Sequence, residues 1–235
     1  MPDPPTQAAF YASRRGAVAR DLVRDRLVHA WPSVGGMTLL GLGYTTPYLD
    51  AWPDARVTLA AGPDLPADAW PDPTPNGARN RAAVTEDDAL PFADLTFDRI
   101  LLVHALETTE SARRMLREVW RVLRDDGQVL VVAPNRRGVW AHLDSTPFGQ
   151  GQPYSSGQIS RLLGASLFRV TWRDDALFVP PVACVEPLAR VWERIGRRVL
   201  PGGVTITGAS KNLYAGLPLK PVRRRRAVVL SGLPS

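Results

Sequence analysis

Residues 86–138, EDDALPFADLTFDRILLVHALETTESARRMLREVWRVLRDDGQVLVVAPNRRG, contain the clearest structural signals in the chain. Residues 95–103 and 128–133 are short apolar runs that favour buried strands. Residues 111–124 between them place apolar side chains on one helical stripe, and residues 125–127 are a turn signal. The stripe consists of Ala112, Met115, Leu116, Val119, Trp120 and Leu123. This order of strand, helix, turn and strand predicts part of a parallel sheet covered by helices.

The rest of the chain continues the alternation of strands and helices. A helix is predicted over residues 6–31, with Thr6 as its N-cap and Pro32 as its stop. The further predicted strands are 37–42, 56–61, 80–84, 168–179 and 203–214, and the further helices run from Ser155 or Ser156 to Leu163 and over 185–200. Residues 62–79 carry five prolines and predict a loop, and residues 135–153 predict an excursion over the surface. In such sheets ligands bind at the carboxyl ends of the strands.

Composition and charge narrow the classes of function. The chain has 235 residues, of which 45% are hydrophobic and 22% charged, as expected of a globular domain with a core. No apolar run approaches the roughly 18 residues that a membrane span needs. A single cysteine, Cys184, favours a reducing cytoplasm. The scattered histidines and the one cysteine give no metal-ligand cluster.

The net charge of +6 belongs to the C-terminal segment. From residue 211 onward there are six basic residues and no acidic ones, so the preceding chain is neutral. A nucleic-acid-binding domain carries its positive charge on a folded face, so the neutral body argues against a nucleic-acid partner. Residues 216–235 predict a mobile tail. The Arg223–Arg226 run is either a solvated tail or a contact for acidic phospholipid, RNA or an acidic protein partner.

Residues 86–138 resemble the middle of the class I S-adenosylmethionine-dependent methyltransferases, in the subgroup called methyltransferase type 11. The shared pattern is an acid, a small residue, LPF, then FD opening a strand, a helix ending in RVL, and a D-G turn before a strand. More loosely, the resemblance covers residues 30–215. It implies a Rossmann-like α/β sandwich, a mostly parallel seven-stranded sheet with helices on both faces and its last strand antiparallel. It also implies a methyltransferase-like domain over residues 1–215, helix 6–31 included, followed by the tail.

Three further stretches are similar to a narrower group of alphaproteobacterial methyltransferase-like proteins with an altered glycine loop. They are PNRRGVWAHLDSTPFGQGQPYS (134–155), WERIGRRV (192–199) and GASKNLY (208–214).

The resemblance implies a set of residues that bind S-adenosylmethionine. Asp88, Ala89 and Leu90 would flank the adenine, and Val103 and His104 would line the methionine side. The loop after the first strand contributes Gly41, Gly43 and Tyr44. Two alternatives stay open: Asp88 as a solvated loop acid, and His104 as a satisfied histidine packed at a strand end.

The glycine loop departs from the family pattern D/E-x-G-x-G-x-G. Only Gly43 matches a glycine of the motif, because Gly41 stands where the acid belongs and Thr45 and Pro47 replace the later glycines. The usual acid at the end of the second strand, which accepts the ribose hydroxyls, is also missing. Asp64 lies just beyond that position. These departures leave binding of S-adenosylmethionine an expectation that needs a test.

Two functions therefore follow from the resemblance. The first is an S-adenosylmethionine-dependent methyltransferase acting on an unidentified small-molecule or lipid-like acceptor. The alternative is a catalytically silent protein of the same fold that works through a protein partner, for which the basic tail is a candidate contact. Methyl transfer in this fold rests largely on proximity, so no catalytic residue need be visible. Asn135, His142 and Tyr154 are candidate acceptor contacts or anchors of a polar loop, and Trp140 and Phe148 line either an apolar pocket or a satellite core.

Overall fold

A computed structural model describes residues 6–62, 81–181 and 188–213 of the chain. Several sequence predictions lie outside these residues: most of the proline-rich loop, Asp64, Cys184 and the tail with Arg223–Arg226. The helices are α1 (Gln7–Ala12), α2 (Arg14–Ala30), α3 (Thr46–Leu49), α4 (Ala112–Val122), α5 (Ser156–Ala165) and α6 (Ala189–Gly196). The strands are β1 (Thr38–Gly43), β2 (Val57–Gly62), β3 (Arg81–Val84), β4 (Phe97–Val103), β5 (Leu123–Pro134), β6 (Phe168–Ala176) and β7 (Val204–Lys211). Two short 3-10 helices, Val139–His142 and Pro147–Gly149, follow β5.

The seven strands form one sheet in the order β3-β2-β1-β4-β5-β7-β6. Strands β1 to β5 pair in parallel, and β7 runs antiparallel to both β5 and β6. This confirms the predicted sandwich with its antiparallel last strand. The chain leaves β1 toward β2 on one side and later returns to β4 on the other. The order of strands reverses there, and in open α/β sheets such a point marks the ligand-binding crevice, here outside the carboxyl ends of β1 and β4.

Helices cover both faces of the sheet because successive strand residues point to opposite sides. On one face the helices α1, α2 and α3 pack on Leu39, Leu101, Val103, Leu130 and Val132. On the other face α4 and α5 pack on Leu40, Leu42, Ile100, Leu102 and Val131. The predicted stripe on α4 is confirmed, since Met115, Leu116 and Val119 are fully buried. Every central strand is therefore apolar on both sides, as the continuous runs in the sequence indicate.

The N-terminal helix differs from the prediction, because the chain breaks at Ser13 into two helices. Thr6 is confirmed as the first N-cap and accepts a hydrogen bond from the N–H of Ala9 (3.2 Å). The Ser13 hydroxyl donates to the carbonyl of Phe10 (2.6 Å) and accepts from the N–H of Gly16 (3.0 Å). A side chain at position 16 would overlap the Phe10 carbonyl, so glycine allows α1 to fold back on the first turn of α2. The predicted single helix was wrong because its apolar spacing runs on through this corner.

Two other predictions also change. Residues 125–127 fall within the bounds of β5, but the pairing passes from Leu123–Phe97 directly to Gln128–Arg99, so the predicted turn is present as a bulge in the strand. Residues 135–153 are no mere surface excursion, because Trp140 and Phe148 are buried in the main core on the α1 side. Large aromatic side chains in a polar segment anchor that segment to the core.

Candidate functional site

The candidate site begins where the carboxyl ends of β1, β2 and β4 lie side by side. Gly43 pairs with Val103, and the N–H of Tyr44 donates to the carbonyl of Val103 (2.9 Å). Gly43 has φ +76°, and a Cβ there would overlap that carbonyl and lie 2.9 Å from the Cβ of Ala105. Glycine is thus required by both the backbone and the close approach of the strands. Gly62, at the end of β2, is different: its Cβ would stand 3.6–3.9 Å from the Gly43 backbone, at ordinary contact distance.

Gly41 and Thr45 are in mutual contact, which explains two departures from the glycine pattern together. A Cβ on Gly41 would overlap the Thr45 hydroxyl, lie 2.8 Å from its Cβ and lie 3.0 Å from Cδ1 of Leu49. Thr45 is fully buried, and its hydroxyl has no hydrogen-bond partner among the described residues. An acid cannot therefore occupy position 41 while a threonine occupies position 45. In the family pattern the position of Gly41 carries an acidic side chain and the position of Thr45 is a glycine. In this protein the glycine is on the strand and the side chain is in the loop.

The segment after β3, where the resemblance places the adenine contacts, is held by a charged clamp. The guanidinium of Arg121 donates to the carbonyls of Leu90 (2.9 Å) and Phe92 (2.7 Å) and to the carboxylate of Glu118 (2.7 Å). Glu118 in turn accepts the N–H of Leu90 (3.1 Å). The hydrogen bonds from Arg121 hold the pKa of Glu118 below its usual range. Leu90 is buried as a result, while the neighbouring Ala89 stays exposed.

Asp88 lies in the same loop, half-buried, with its carboxylate 3.5 Å from the guanidinium of Arg114. Arg114 is mostly exposed, so this ion pair is a weak surface contact. The carboxylate is therefore compatible with either of its two readings, a loop acid or an adenine contact.

A chain of buried polar side chains runs beneath α1 at the end of β4. Nδ1 of His104 lies 2.9 Å from Oε1 of Glu107, and Nε2 lies 2.9 Å from the hydroxyl of Tyr11. That hydroxyl lies 3.0 Å from the hydroxyl of Tyr48. Every donor is satisfied when Tyr48 donates to Tyr11, Tyr11 to Nε2, and Nδ1–H to Glu107. Burial and the neighbouring Tyr48 raise the pKa of Tyr11 well above its ordinary value, which keeps the phenol protonated.

Two features of these hydrogen-bonded side chains are not explained by packing alone. His104 has φ +53°, a left-handed conformation that is uncommon outside glycine and clusters at functional sites. Oε2 of Glu107 is buried and has no hydrogen-bond partner among the described residues. A carboxylate behind a histidine fixes the ring tautomer and stabilises the imidazolium that forms when Nε2 takes a proton. The arrangement can therefore accept a proton from a group that replaces the Tyr11 hydroxyl.

Aromatic rings close this side of the crevice. The ring of Tyr11 stacks on that of Tyr44 at 5.3 Å with an interplanar angle of 18°. Phe148 lies 4.9 Å from the ring of His104 and meets Phe10 edge-on at 5.8 Å. Helix α1 thus covers His104 and rests on the altered glycine loop.

The structure brings together some of the predicted residues and separates others. Gly41, Gly43, Tyr44, Val103 and His104 gather at the ends of β1 and β4. A second group, Asp88, Ala89 and Leu90, lies on the β3–β4 connection, as the resemblance implies.

Sequence reasoning missed four residues of the site. They are Tyr11, Tyr48, Glu107 and Gly62. Only Gly62 carries a local signal, a glycine directly at the end of a strand.

The candidate acceptor contacts after β5 behave as anchors of their own segment. The Tyr154 hydroxyl donates to the carbonyl of Leu106 (3.1 Å), and the Asn135 side chain accepts the N–H of Arg137 (3.1 Å). His142 is exposed at the end of a 3-10 helix. The loop-anchor alternative thus has direct contacts in its favour.

Among the described residues, no helix has the length and apolar character to cross a membrane. The same residues contain no group of three or more acidic, histidine or cysteine side chains that could hold a metal ion.

Comparison with known proteins agrees with this fold. Residues 41–131 match the family model described as a methyltransferase domain. An uncharacterized protein of Mycobacterium tuberculosis, Rv2003c, is 29% identical over 114 residues, which cover 44% of this chain and 40% of that protein. The chain thus spans about two fifths of the length of the curated relative it matches.

Solved structures extend the likeness to most of the chain. One is the complex between the Haloferax volcanii Trm112 methyltransferase activator and a protein described as a methyltransferase (TM-score 0.64, 16% identity, 90% of this chain and 100% of that one). Another is an S-adenosylmethionine-dependent methyltransferase from Thermotoga maritima (TM-score 0.63, 15% identity, 84% and 92%). Residues 41–131 are thus similar to a methyltransferase domain, and the fold of the chain is that of the class I S-adenosylmethionine-dependent methyltransferases.

Proposed function

We propose that this protein is an S-adenosylmethionine-dependent methyltransferase acting on a small-molecule or lipid-like acceptor that loses a proton on methylation. The observation that carries the proposal is the glycine-lined edge where Gly43 and Gly62 meet at the ends of β1 and β2. Small residues there let a ligand approach the backbone, at the switch point where sheets of this order bind ligands. When bound, S-adenosylmethionine supplies an electrophilic methyl group on its sulfonium.

The residues at this edge suit the nucleoside half of the cofactor. Gly62 leaves space beside Gly43, and Ala89 exposes a small side chain next to the buried, anchored Leu90. Arg121 fixes the backbone of this loop, so that the surface is ordered before binding. Asp88 is the proposed acceptor of a hydrogen bond from the adenine.

The methionine half would lie toward Gly41, Gly43, Tyr44, Val103 and His104. The loop side of this region is the remodelled one, since Thr45 fills the space above Gly41. We therefore expect the altered loop to bind the methionine carboxylate and amine more weakly.

His104 is proposed to take the proton that the acceptor loses. Its Nε2 is the proton-accepting atom, and Glu107 holds the opposite ring nitrogen. The acceptor hydroxyl or amine would occupy the position where the Tyr11 hydroxyl now donates. General bases of this kind contribute about 10²–10⁴ in rate.

Calorimetry with S-adenosylmethionine and S-adenosylhomocysteine tests cofactor binding. Both ligands are expected to bind saturably, and Gly62→Val is expected to weaken the affinity about ten-fold or more because its side chain enters the crevice beside Gly43. Gly164→Ala is the matched control, because position 164 has open space around it on α5. No heat from either ligand at millimolar concentration would end the proposal.

The alternative is a catalytically silent protein that acts through a partner. It is favoured by the burial of His104 beneath α1 and by the Haloferax complex, in which a protein of this fold is seen with an activator. Affinity purification of the full chain, tail included, separates the two readings. A stoichiometric partner together with absent cofactor binding supports the alternative, and cofactor binding by the isolated chain supports the enzyme.

A further inference from the structure

Helix α6 is fastened to the body of the protein by one narrow stripe. Ala189, Glu193 and Gly196 are buried and recur at the i, i+4 and i+7 spacing of a single helix face. The Glu193 carboxylate accepts the N–H groups of Leu177 (3.1 Å) and Phe178 (2.8 Å). A Cβ on Gly196 would lie 2.8 Å from the Phe178 carbonyl, so the helix sits close against this turn. These contacts fix which side of α6 faces outward.

The outward side, which we call the α6 outer face, is rich in exposed apolar side chains. They are Leu188, Val191, Trp192, Ile195, Val199 and Leu200. Six of the eleven large hydrophobic residues exposed in the described part of the chain therefore lie within thirteen consecutive positions. Scattered exposed apolar residues need no explanation, but a concentration of them marks an interaction surface.

The charges on the α6 outer face have one sign. Arg190, Arg194, Arg197 and Arg198 are all exposed, and among the described residues only Arg197 forms an ion pair with the body, to the carboxylate of Asp174 at 2.7 Å. The single acid of this stretch is Glu193, which is buried beneath the helix. The exposed surface of α2 differs, because Arg20 there is paired with Asp21 (2.9 Å). The α6 outer face thus combines apolar side chains with a net positive charge, and Asp21 of α2, which is partly exposed, lines a groove shared with Leu188, Arg190 and Val191.

We propose that the α6 outer face docks the protein on the surface of an anionic phospholipid bilayer. Apolar side chains with a tryptophan among them and flanking arginines, and with no exposed acid at residues 188–200, are the pattern of a helix that lies in the interface plane. Anionic headgroups complement the arginines, and the apolar side chains enter the boundary between headgroups and acyl chains. This role lies on a different element from the cofactor site, so it stands apart from the proposed methyl transfer.

Vesicle co-sedimentation with the full-length chain tests the proposal. The protein is expected to bind vesicles of phosphatidylcholine mixed with phosphatidylglycerol, to leave pure phosphatidylcholine unbound, and to dissociate as salt rises. Arg194→Glu reverses one charge, and the expected loss of affinity is about 25-fold, five-fold for each unit of charge. Arg198→Glu is expected to act in the same way.

A matched pair of variants tests the apolar part. Val191 on the α6 outer face and Val139 after β5 are exposed to nearly the same extent, 53% and 54%. Val191→Glu is expected to weaken vesicle binding about ten-fold or more, and Val139→Glu to leave it unchanged. Because both positions are on the surface, the folded state should tolerate either change, which thermal unfolding checks.

Replacement of Arg223–Arg226 by glutamine separates the α6 outer face from the tail. If that variant loses vesicle binding while Val191→Glu keeps it, the tail is the lipid contact and the proposal is wrong. Equal binding to neutral and anionic vesicles, or to neither, also overturns it. A chain that self-associates in solution and becomes monomeric with Val191→Glu, without binding vesicles, would show a protein interface instead.

Discussion

Introducing a side chain at position 41 should destabilise the protein only while Thr45 is present. Gly41 has no left-handed backbone, so alanine is excluded there by contact alone, with the Thr45 side chain and with Leu49 Cδ1 at 3.0 Å. Overpacking of this kind costs about 1–3 kcal/mol, and Thr45 is fully buried. For a chain of this length, Gly41→Ala should lower Tm by about 2–4 °C for each kcal/mol.

The partner change, Thr45→Gly, has its own cost. It removes the buried Cβ and methyl group and makes the backbone ahead of α3 more flexible, together about 2–3 kcal/mol. The hydroxyl adds little, because it has no hydrogen-bond partner among the described residues. In the double variant the alanine at 41 enters the space that the threonine leaves. The Gly41→Ala penalty should then fall by about 1–3 kcal/mol, a coupling typical of residues in direct contact.

Urea unfolding of the wild type, both single variants and the double variant measures this coupling. If the unfolding free-energy changes of the two single variants add up to that of the double variant within about 0.5 kcal/mol, the two positions do not share space as argued. Gly41→Asp with Thr45→Gly extends the cycle to function, since it restores the acid and a glycine of the family pattern. Calorimetry with S-adenosylhomocysteine then shows whether the exchange affects the cofactor side of the loop.

Three further outcomes are expected. Gly164→Ala should stabilise the protein by about 0.5–1 kcal/mol in urea unfolding, because position 164 is an exposed helical site with open space. Tyr11→Phe should cost about 1–3 kcal/mol, since it leaves Nε2 of His104 buried without its donor, and hydrogen exchange of α1 should quicken. The lowered pKa of Glu118 means that its carboxylate stabilises the fold above about pH 4 and loses this effect as pH falls through the lowered value. Unfolding midpoints of wild type and Glu118→Gln should therefore differ at pH 7 and converge in acid.

The fold could be predicted from the sequence because its central strands are continuous apolar runs. The runs at 37–42 and 95–103 correspond to Thr38–Gly43 and Phe97–Val103 in the structure, a shift of one or two residues. Tertiary contacts determine the features of the fold that the local sequence pattern does not predict. The break at Ser13 depends on Gly16 meeting the Phe10 carbonyl, and nothing in the helical spacing signals that approach.

The glycine of the site could be predicted from the sequence, but its hydrogen-bonded side chains could not. Gly43 could be found because it matches a glycine of the family pattern, and its left-handed φ and close neighbours in the structure explain why glycine is needed there. The polar chain could not, because Tyr11 meets His104 across 93 positions of sequence and Tyr48 across 37. Ionisable residues brought together from two helices and the segment after a strand leave no periodic signal. The assignment of Gly41, Gly43, Tyr44, Asp88, Ala89, Leu90, Val103 and His104 to the cofactor stays a prediction.

The altered glycine loop makes contacts that account for each of its unusual residues. Tyr44 stacks on Tyr11, Thr45 packs on Gly41, and Pro47 opens the short helix whose Tyr48 reaches the Tyr11 hydroxyl. Two of these contacts end on α1, so the loop seats the helix that covers His104. The larger residues of the loop therefore pack against α1, the helix that covers His104. An acceptor can reach Nε2 of His104 only if Tyr11 gives up its hydrogen bond to that atom. Acceptor binding and movement of α1 should accordingly be one event, because the same ring nitrogen serves both partners.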